Sequence, residues 1–227
     1  TATVATTVKG GAVTISSGVG TTTSSGSMTL YTSNAGVSGV SGQLVLSTGT
    51  ASSGNSGALY IGSGSAKSGR GGAVYVTVGS GDSGAGGELV LSAGTSTDVT
   101  GGRLSVLSGM GSGSGDSGSL RLMTAKSGTA GVSGQLVLST GTASNGNSGA
   151  LYIGSGTSTS GRGGAVYVSV GSGNSGAGGE LVLSAGTTWP ANGVAPAIGG
   201  RLSIMSGHSR WSSGALLLRT ANAGLSG

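Results

Sequence analysis

The chain has 227 residues, 53 of them Gly, with no Cys and no Phe. Only 7% of the residues are charged and 3% are aromatic, which excludes the thick apolar core of a conventional globular domain of this length. The net charge of +5 comes from 10 basic residues spread along the chain, so no basic stripe for nucleic acid is indicated, and no 18-residue apolar run predicts a membrane span.

The Gly and Ser content is also typical of flexible linkers. Two features favour order instead, since the mean hydropathy is +0.23 and the Leu, Val and Ile residues recur in short clusters at fixed spacing. The chain opens at Thr1 in the middle of this pattern, so we expect a processed product or a piece of a longer protein.

A short motif, Gly-x-Φ-x-Φ with Φ usually Leu, Val or Ile, recurs along the whole chain. Most of its steps are 15 or 16 residues. It begins at Gly11, Gly26, Gly42, Gly57, Gly72, Gly87, Gly102, Gly118, Gly134, Gly149, Gly164, Gly179, Gly200 and Gly214. A second Gly follows most motif glycines by seven residues, as at Gly49 and Gly64.

Six short motifs make a long repeat of 92 residues. Segments 43–95 and 135–187 share 47 identities over 53 positions. The sequence therefore predicts one continuous domain, with a partial repeat at 1–42, a full repeat at 43–134, and a full repeat at 135–227 that carries a loop insertion near 187–199.

The alternation of Φ and x places both Φ residues of a motif on one strand face. The pattern predicts an all-β fold, a β-solenoid (β-helix) of about 15-residue, flattened, two-sided coils, roughly 14 in all and six per long repeat. In that fold Φ pairs such as Leu44 and Leu46 line the interior, and glycines turn the corners.

The residue between the two Φ residues would then point outward, where it forms an apolar, aromatic patch once per long repeat. Contiguous exposed apolar patches usually mark contacts, so we predict lateral packing between rods. Val and Tyr also simply suit exposed strands. The candidates are Val45, Tyr60, Tyr75, Val90, Val137, Tyr152, Tyr167 and Val182.

The insertion lengthens one step of the second repeat to 21 residues, between Gly179 and Gly200, and holds both Pro residues. Loops that protrude from a repetitive rod often carry binding, although an insertion is also tolerated without a role. Four residues in or near this loop are candidates for a specific contact: Trp189, His208, Arg210 and Trp211.

The side chains needed for catalysis are sparse, and we expect no enzyme, cofactor or metal site. The single His and the absence of Cys leave only His208 for a catalytic triad. The five acids are too scattered for paired-carboxylate chemistry or for a Ca²⁺ ligand in every turn. No Asn-x-Ser/Thr sequon occurs, whereas O-linked glycans on the Ser- and Thr-rich turns are a possible partner.

Motifs such as GQLVLSTGTASSGNS and GALYIGSGSAKSGRG resemble repetitive Gly/Ser/Thr-rich extracellular β-solenoid fibres of the surface-filament or adhesin-stalk type. The resemblance implies an extracellular or cell-surface structural subunit that associates with itself, laterally and end to end. Two alternatives stay open, an ice-binding solenoid and an adhesive or carbohydrate-binding stalk. Thr21–Thr23 do not extend into the Thr ladder that ice binding needs.

Overall fold

The structure is a computed structural model that describes residues 10–189 and 198–221. Within these ranges there is no helix and no multi-residue strand. The regular pairing is confined to one isolated antiparallel β-bridge, between His208 and Ser213.

The predicted β-solenoid of roughly 14 coils is therefore wrong for this chain, as is its description as a β-helix with six coils per long repeat. A solenoid needs backbone hydrogen bonds between segments about 15 residues apart. In the described ranges the backbone hydrogen bonds instead join the two ends of a single loop, or residues at a loop tip, and none joins one Gly-x-Φ-x-Φ segment to another.

The architecture is a succession of extended segments and closed loops. Each Gly-x-Φ-x-Φ segment is extended backbone without a partner strand. The chain then bends between segments, for example at 52–54, 67–69, 82–85 and 97–99. The same bends recur in the second repeat at 144–146, 159–161 and 174–177.

Each loop closes at its base. There, the residue six positions after one motif glycine contacts the next motif glycine. We call the residue at this sixth position the base residue. A Cβ placed on Gly57 would lie 3.7 Å from the Cβ of the base residue Thr48, and a Cβ on Gly72 would lie 3.1 Å from that of Ser63. Loops whose ends meet in this way are compact units packed by their own residues.

The chain divides into two compact units, Thr1–Ser108 and Gly109–Gly227. The first contains repeat segment 43–95 and the second contains its near-copy 135–187. Each unit, over its described residues, is built from the same alternation of extended segment and closed loop.

Neither unit has a core within the described ranges, since no apolar or polar side chain there is buried. The accessible surface is 22995 Å². A folded monomer of this mass exposes about 9,000 Å² and its unfolded chain about 30,000 Å² by the usual scaling with mass. The apolar segments thus stay in solvent, and intrachain burial does not hold them together.

Candidate functional site

The site with the most distinctive chemistry is the set of extended Gly-x-Φ-x-Φ segments. Their Φ side chains are apolar. Over the described residues, the backbone of each Φ-x-Φ stretch makes no hydrogen bond to another part of the chain. In most motifs the first Φ residue is more covered than the second, as with Leu59 at 55% exposure and Ile61 at 71%. The intervening residue projects further, with Tyr60 at 91% exposure. Each segment therefore offers an alternating apolar surface together with free N–H and C=O groups.

All eight predicted lateral-contact residues are exposed, as a contact surface requires. No sheet joins their segments in the described ranges, so the single chain does not assemble them into a ladder. Each residue lies on its own extended segment, and lateral contact by them stays a prediction. They are Val45, Tyr60, Tyr75, Val90, Val137, Tyr152, Tyr167 and Val182.

Small and β-branched base residues position the extended segments. The Ser63 hydroxyl donates a hydrogen bond to the carbonyl of Gly72 at 2.7 Å, and the equivalent Ser155 hydroxyl donates to Gly164 at 2.8 Å. In the loops after Ala93 and Ala185, the motif glycine donates its N–H back to the residue after the base residue instead. Both devices hold the two ends of a loop together.

At one loop base, present in both repeats, a Cβ on the motif glycine would overlap the base valine, so the valine or the loop base would have to shift. A Cβ on Gly87 would lie 2.5 Å from Cγ1 of Val78, and a Cβ on Gly179 would lie 2.8 Å from Cγ1 of Val170. At the tips of the same loops Gly84 has a φ of 85° and Gly176 a φ of 75°. Residues with a side chain rarely adopt such values, so glycine is favoured at the loop tip in each copy.

The base residues were missed as functional positions by the sequence reasoning, although a signal was present. Position six after the motif glycine is always Ser, Thr, Val or Ala, and it directly precedes the second Gly in most motifs. A constant small residue next to a glycine indicates a close approach between backbones. The sequence pattern assigns a coil corner to the glycine that follows and gives the base residue itself no role.

The predicted loop candidates separate into two places. His208, Arg210 and Trp211 lie together on a tight hairpin spanning 207–214. Trp189 is exposed and precedes residues 190–197, which lie outside the described ranges along with most of the predicted 187–199 loop.

The hairpin is the most strongly hydrogen-bonded part of the described chain. Gly214 N–H donates to Gly207 O at 2.7 Å and Ser209 N–H donates to Ser212 O at 2.9 Å. The Ser209 hydroxyl also donates to Ser212 O at 2.7 Å and accepts from Ser212 N–H at 3.1 Å. A serine side chain that bonds the backbone two or three residues on stabilises a turn. Trp211 sits at the tip with 91% of its surface exposed.

The described residues contain no group of three or more His, Asp or Glu side chains that could hold a metal ion. Over the same ranges no helix is long and apolar enough to cross a bilayer. The chemistry on offer is thus apolar contact, aromatic contact and backbone hydrogen bonding.

Comparisons with protein-family models, with curated proteins and with solved structures gave no match to this chain.

Proposed function

We propose that this chain is a structural subunit or segment of an extracellular filament or surface fibre, and that it self-associates through its extended Gly-x-Φ-x-Φ segments. The observation that carries the proposal is the apolar surface that one chain leaves uncovered. A soluble monomer rarely exposes a contiguous apolar patch larger than a few hundred Å². Here every Leu, Val and Ile of the described motifs is substantially exposed.

The area involved is large compared with an ordinary interface. The chain exposes 22995 Å², which is about 14,000 Å² above the expectation for a folded monomer of its mass. A standard protein–protein interface buries about 800 Å² per partner. Covering an exposed area this large requires contacts along the whole length of the segments. Several copies of a repetitive chain can supply such contacts.

The regular repeat supports a self-association role over binding to one unrelated partner. Equivalent residues of the two repeats have nearly the same exposure, as with Tyr60 at 91% and Tyr152 at 92%. A surface that recurs unchanged along the chain suits another copy of the same chain, because every contact can then be repeated. The extracellular or cell-surface location belongs to this proposal and comes from the resemblance to surface fibres.

The test is electron microscopy and sedimentation velocity of the purified chain over a range of concentrations. We expect filaments or discrete multimers, with the multimer fraction rising with concentration. The double variant Tyr60→Ser, Tyr75→Ser should assemble more weakly, whereas Ser53→Ala with Ser68→Ala at the loop bends should assemble normally. A chain that stays monomeric at all concentrations would overturn the proposal.

One observation favours a second candidate, an adhesive or carbohydrate-binding stalk. The hairpin at 207–214 holds Trp211 exposed on a hydrogen-bonded turn, with Arg210 beside it. Exposed aromatic side chains contribute strongly to recognition. Glycan binding that is lost in Trp211→Ala and retained in Trp189→Ala would support this role, and absence of binding to a broad glycan array would dismiss it.

A further inference from the structure

We infer that copies of this chain pair through backbone hydrogen bonds between their Gly-x-Φ-x-Φ segments, parallel and in register, with the closed loops projecting from the paired segments. This inference rests on the proposed self-association and adds its geometry. The inference rests on the arrangement of the backbone, in which an unpaired extended segment lies between two closed loops.

The backbone of the segments has unpaired groups that a strand of another copy can hydrogen-bond. Extended backbone with unpaired N–H and C=O groups is a template for strand addition by another chain. In the described ranges the hydrogen bonds of the loop bases use residues at the segment ends, such as Gly102 and Gly94, and leave the Φ-x-Φ residues unpaired. The residues there are Leu, Val, Ile and Tyr, which favour β pairing.

The occupant is a second copy rather than a neighbouring segment of the same chain. Each loop base brings residue six of one motif against the next motif glycine, as with Val78 and Gly87. The residues that connect two segments are held in this closed loop, so they do not bring the next segment alongside as a partner strand. Another copy can pair with each segment without opening any loop.

The uneven loop lengths select the register. From base residue to motif glycine the spacing is 9 residues for Thr48–Gly57 and 10 for Thr124–Gly134, but 15 for Ala185–Gly200. At zero offset every loop faces a loop of its own length. An offset of one long repeat matches the three loops from Thr48 to Gly87, and then sets the loop after Ala93 against the longer one after Ala185.

The relative direction of the two paired copies follows from the same comparison of loop lengths and base residues. An antiparallel arrangement centred between Tyr60 and Tyr75 does match the row Val45, Tyr60, Tyr75 and Val90 with itself. Outside those four segments, however, this antiparallel arrangement places base residues of different types, and loops of different lengths, opposite each other. The parallel arrangement brings identical side chains together at every segment, which allows dry and regular packing between copies.

The absence of Cys makes the register directly measurable. Three single-cysteine variants are needed: Tyr60→Cys, Tyr75→Cys and Tyr152→Cys, each assembled alone or as pairs with tags of different size and then treated with a mild oxidant. Neighbouring strands lie about 4.8 Å apart, within the Cα separation of about 4.4–6.8 Å that a disulfide accepts.

Tyr60→Cys should cross-link efficiently with itself, as should each other variant. Cross-links between Tyr60→Cys and Tyr75→Cys at equal or higher yield would indicate antiparallel pairing or a parallel stagger of one short motif. Cross-links between Tyr60→Cys and Tyr152→Cys would establish a stagger of one repeat. Either result overturns the inference. Ser53→Cys at a loop bend serves as the control and should cross-link with at most about one-fifth of the segment yield, because its separation from the other copy is not fixed by strand spacing.

A measurement on the unsubstituted chain covers the case in which a variant does not assemble. Tyrosine carbonyl carbons labelled with ¹³C should show an intermolecular dipolar coupling for about 4.8 Å between copies in the solid assembly. A much weaker coupling would overturn in-register pairing even though assembly occurs. If sedimentation shows no assembly at all, the proposed function fails first, and the two failures are therefore distinguishable.

Discussion

The loops after Ala93 and Ala185 occupy equivalent places in the two repeats but differ in length by six residues. Their bases are nevertheless the same. A Cβ on Gly102 would lie 3.4 Å from the Ala93 Cβ, and a Cβ on Gly200 would lie 3.4 Å from the Ala185 Cβ. The closing N–H···O bonds are 2.8 Å from Gly102 to Gly94 and 2.9 Å from Gly200 to Gly186.

The residues at the base therefore determine whether a loop closes, and the length of the loop beyond the base does not. Small base residues, the glycine that follows them and the next motif glycine suffice. The loop interior can then grow or change, which is the usual tolerance of surface loops. The segments have no such local pairing over the described residues, and we propose that contacts between copies supply it.

The largest expected effect comes from charge in the extended segments of both repeats. The variant Leu59→Asp with Leu151→Asp places like charges opposite each other in parallel, in-register copies, which is destabilising by about 1 kcal/mol per pair and more once desolvated. The concentration needed for assembly, measured by sedimentation, should rise on the order of tenfold or more.

The matched control puts the same charge at the loop bends of both repeats, as Ser53→Asp with Asn145→Asp. These positions should stay in solvent, so assembly should change by less than about twofold, as for most surface substitutions. Equal effects of the two double variants would contradict assembly through the segments.

The next effect tests the loop base. Gly87→Ala sets a Cβ 2.5 Å from Val78 Cγ1, so the loop base must shift, at a cost on the order of 1 kcal/mol for overpacking. Gly179→Ala, at 2.8 Å from Val170 Cγ1, should act in the same direction and less strongly. Nuclear Overhauser contacts between the valine methyl and residue 87 or 179 report on closure.

Gly57→Ala is the control for these substitutions, because its Cβ would meet Thr48 at an ordinary 3.7 Å. The corresponding contact should survive. Loss of loop closure in Gly57→Ala to the same degree as in Gly87→Ala would show that close packing at the base is not what matters.

A smaller effect is expected from the base hydroxyls. Ser63→Ala removes the 2.7 Å hydrogen bond to Gly72 O, and Ser155→Ala removes its 2.8 Å equivalent. Exposed neutral hydrogen bonds contribute about 0.5 kcal/mol, the lower end of the usual range. The midpoint of thermal disassembly should fall slightly and equally in the two variants. Ser47→Ala, which only affects a bond to its neighbour Thr48, should leave the midpoint unchanged.

The smallest effect should follow from equalising the two loops. Deletion of residues 190–195 restores the spacing of nine residues between the base residue Ala185 and the motif glycine at 200. We expect assembly to be unchanged within about twofold, since loop length alters closure entropy only weakly. The deletion should also raise cross-linking between Tyr60→Cys and Tyr152→Cys partners, because it removes the length difference that opposes a one-repeat stagger.

The sequence predicted the local parts of this architecture and failed on the long-range part. The motif glycines, the extended Φ-x-Φ stretches and the turns between them follow from residue types within about 15 positions, as the near-identical geometry at Thr48 and Thr140 shows. Periodicity does not specify which chain supplies the neighbouring strand. Leu44 and Leu46 have the alternation of a buried ladder, yet both are half exposed or more in the single chain.

For the candidate site, the sequence identified the exposed Val and Tyr residues and the cluster of His208, Arg210 and Trp211 on one turn. It missed base residues such as Val78, because their role depends on a contact with a glycine nine residues away rather than on their own chemistry. It also could not reveal the hydrogen bonds of Ser209 that fix the hairpin, since Ser is among the commonest residues in the chain.

Over the described residues the single chain leaves its apolar segments exposed, and we propose that further copies cover them. The most direct measurement follows far-UV circular dichroism and sedimentation together across a dilution series. We expect the β-type signal and the molecular mass to rise together with concentration, and the dilute monomer to lack the β signal. A concentration-independent monomer with a full β signal would contradict this proposal, because the segments would then be paired within one chain.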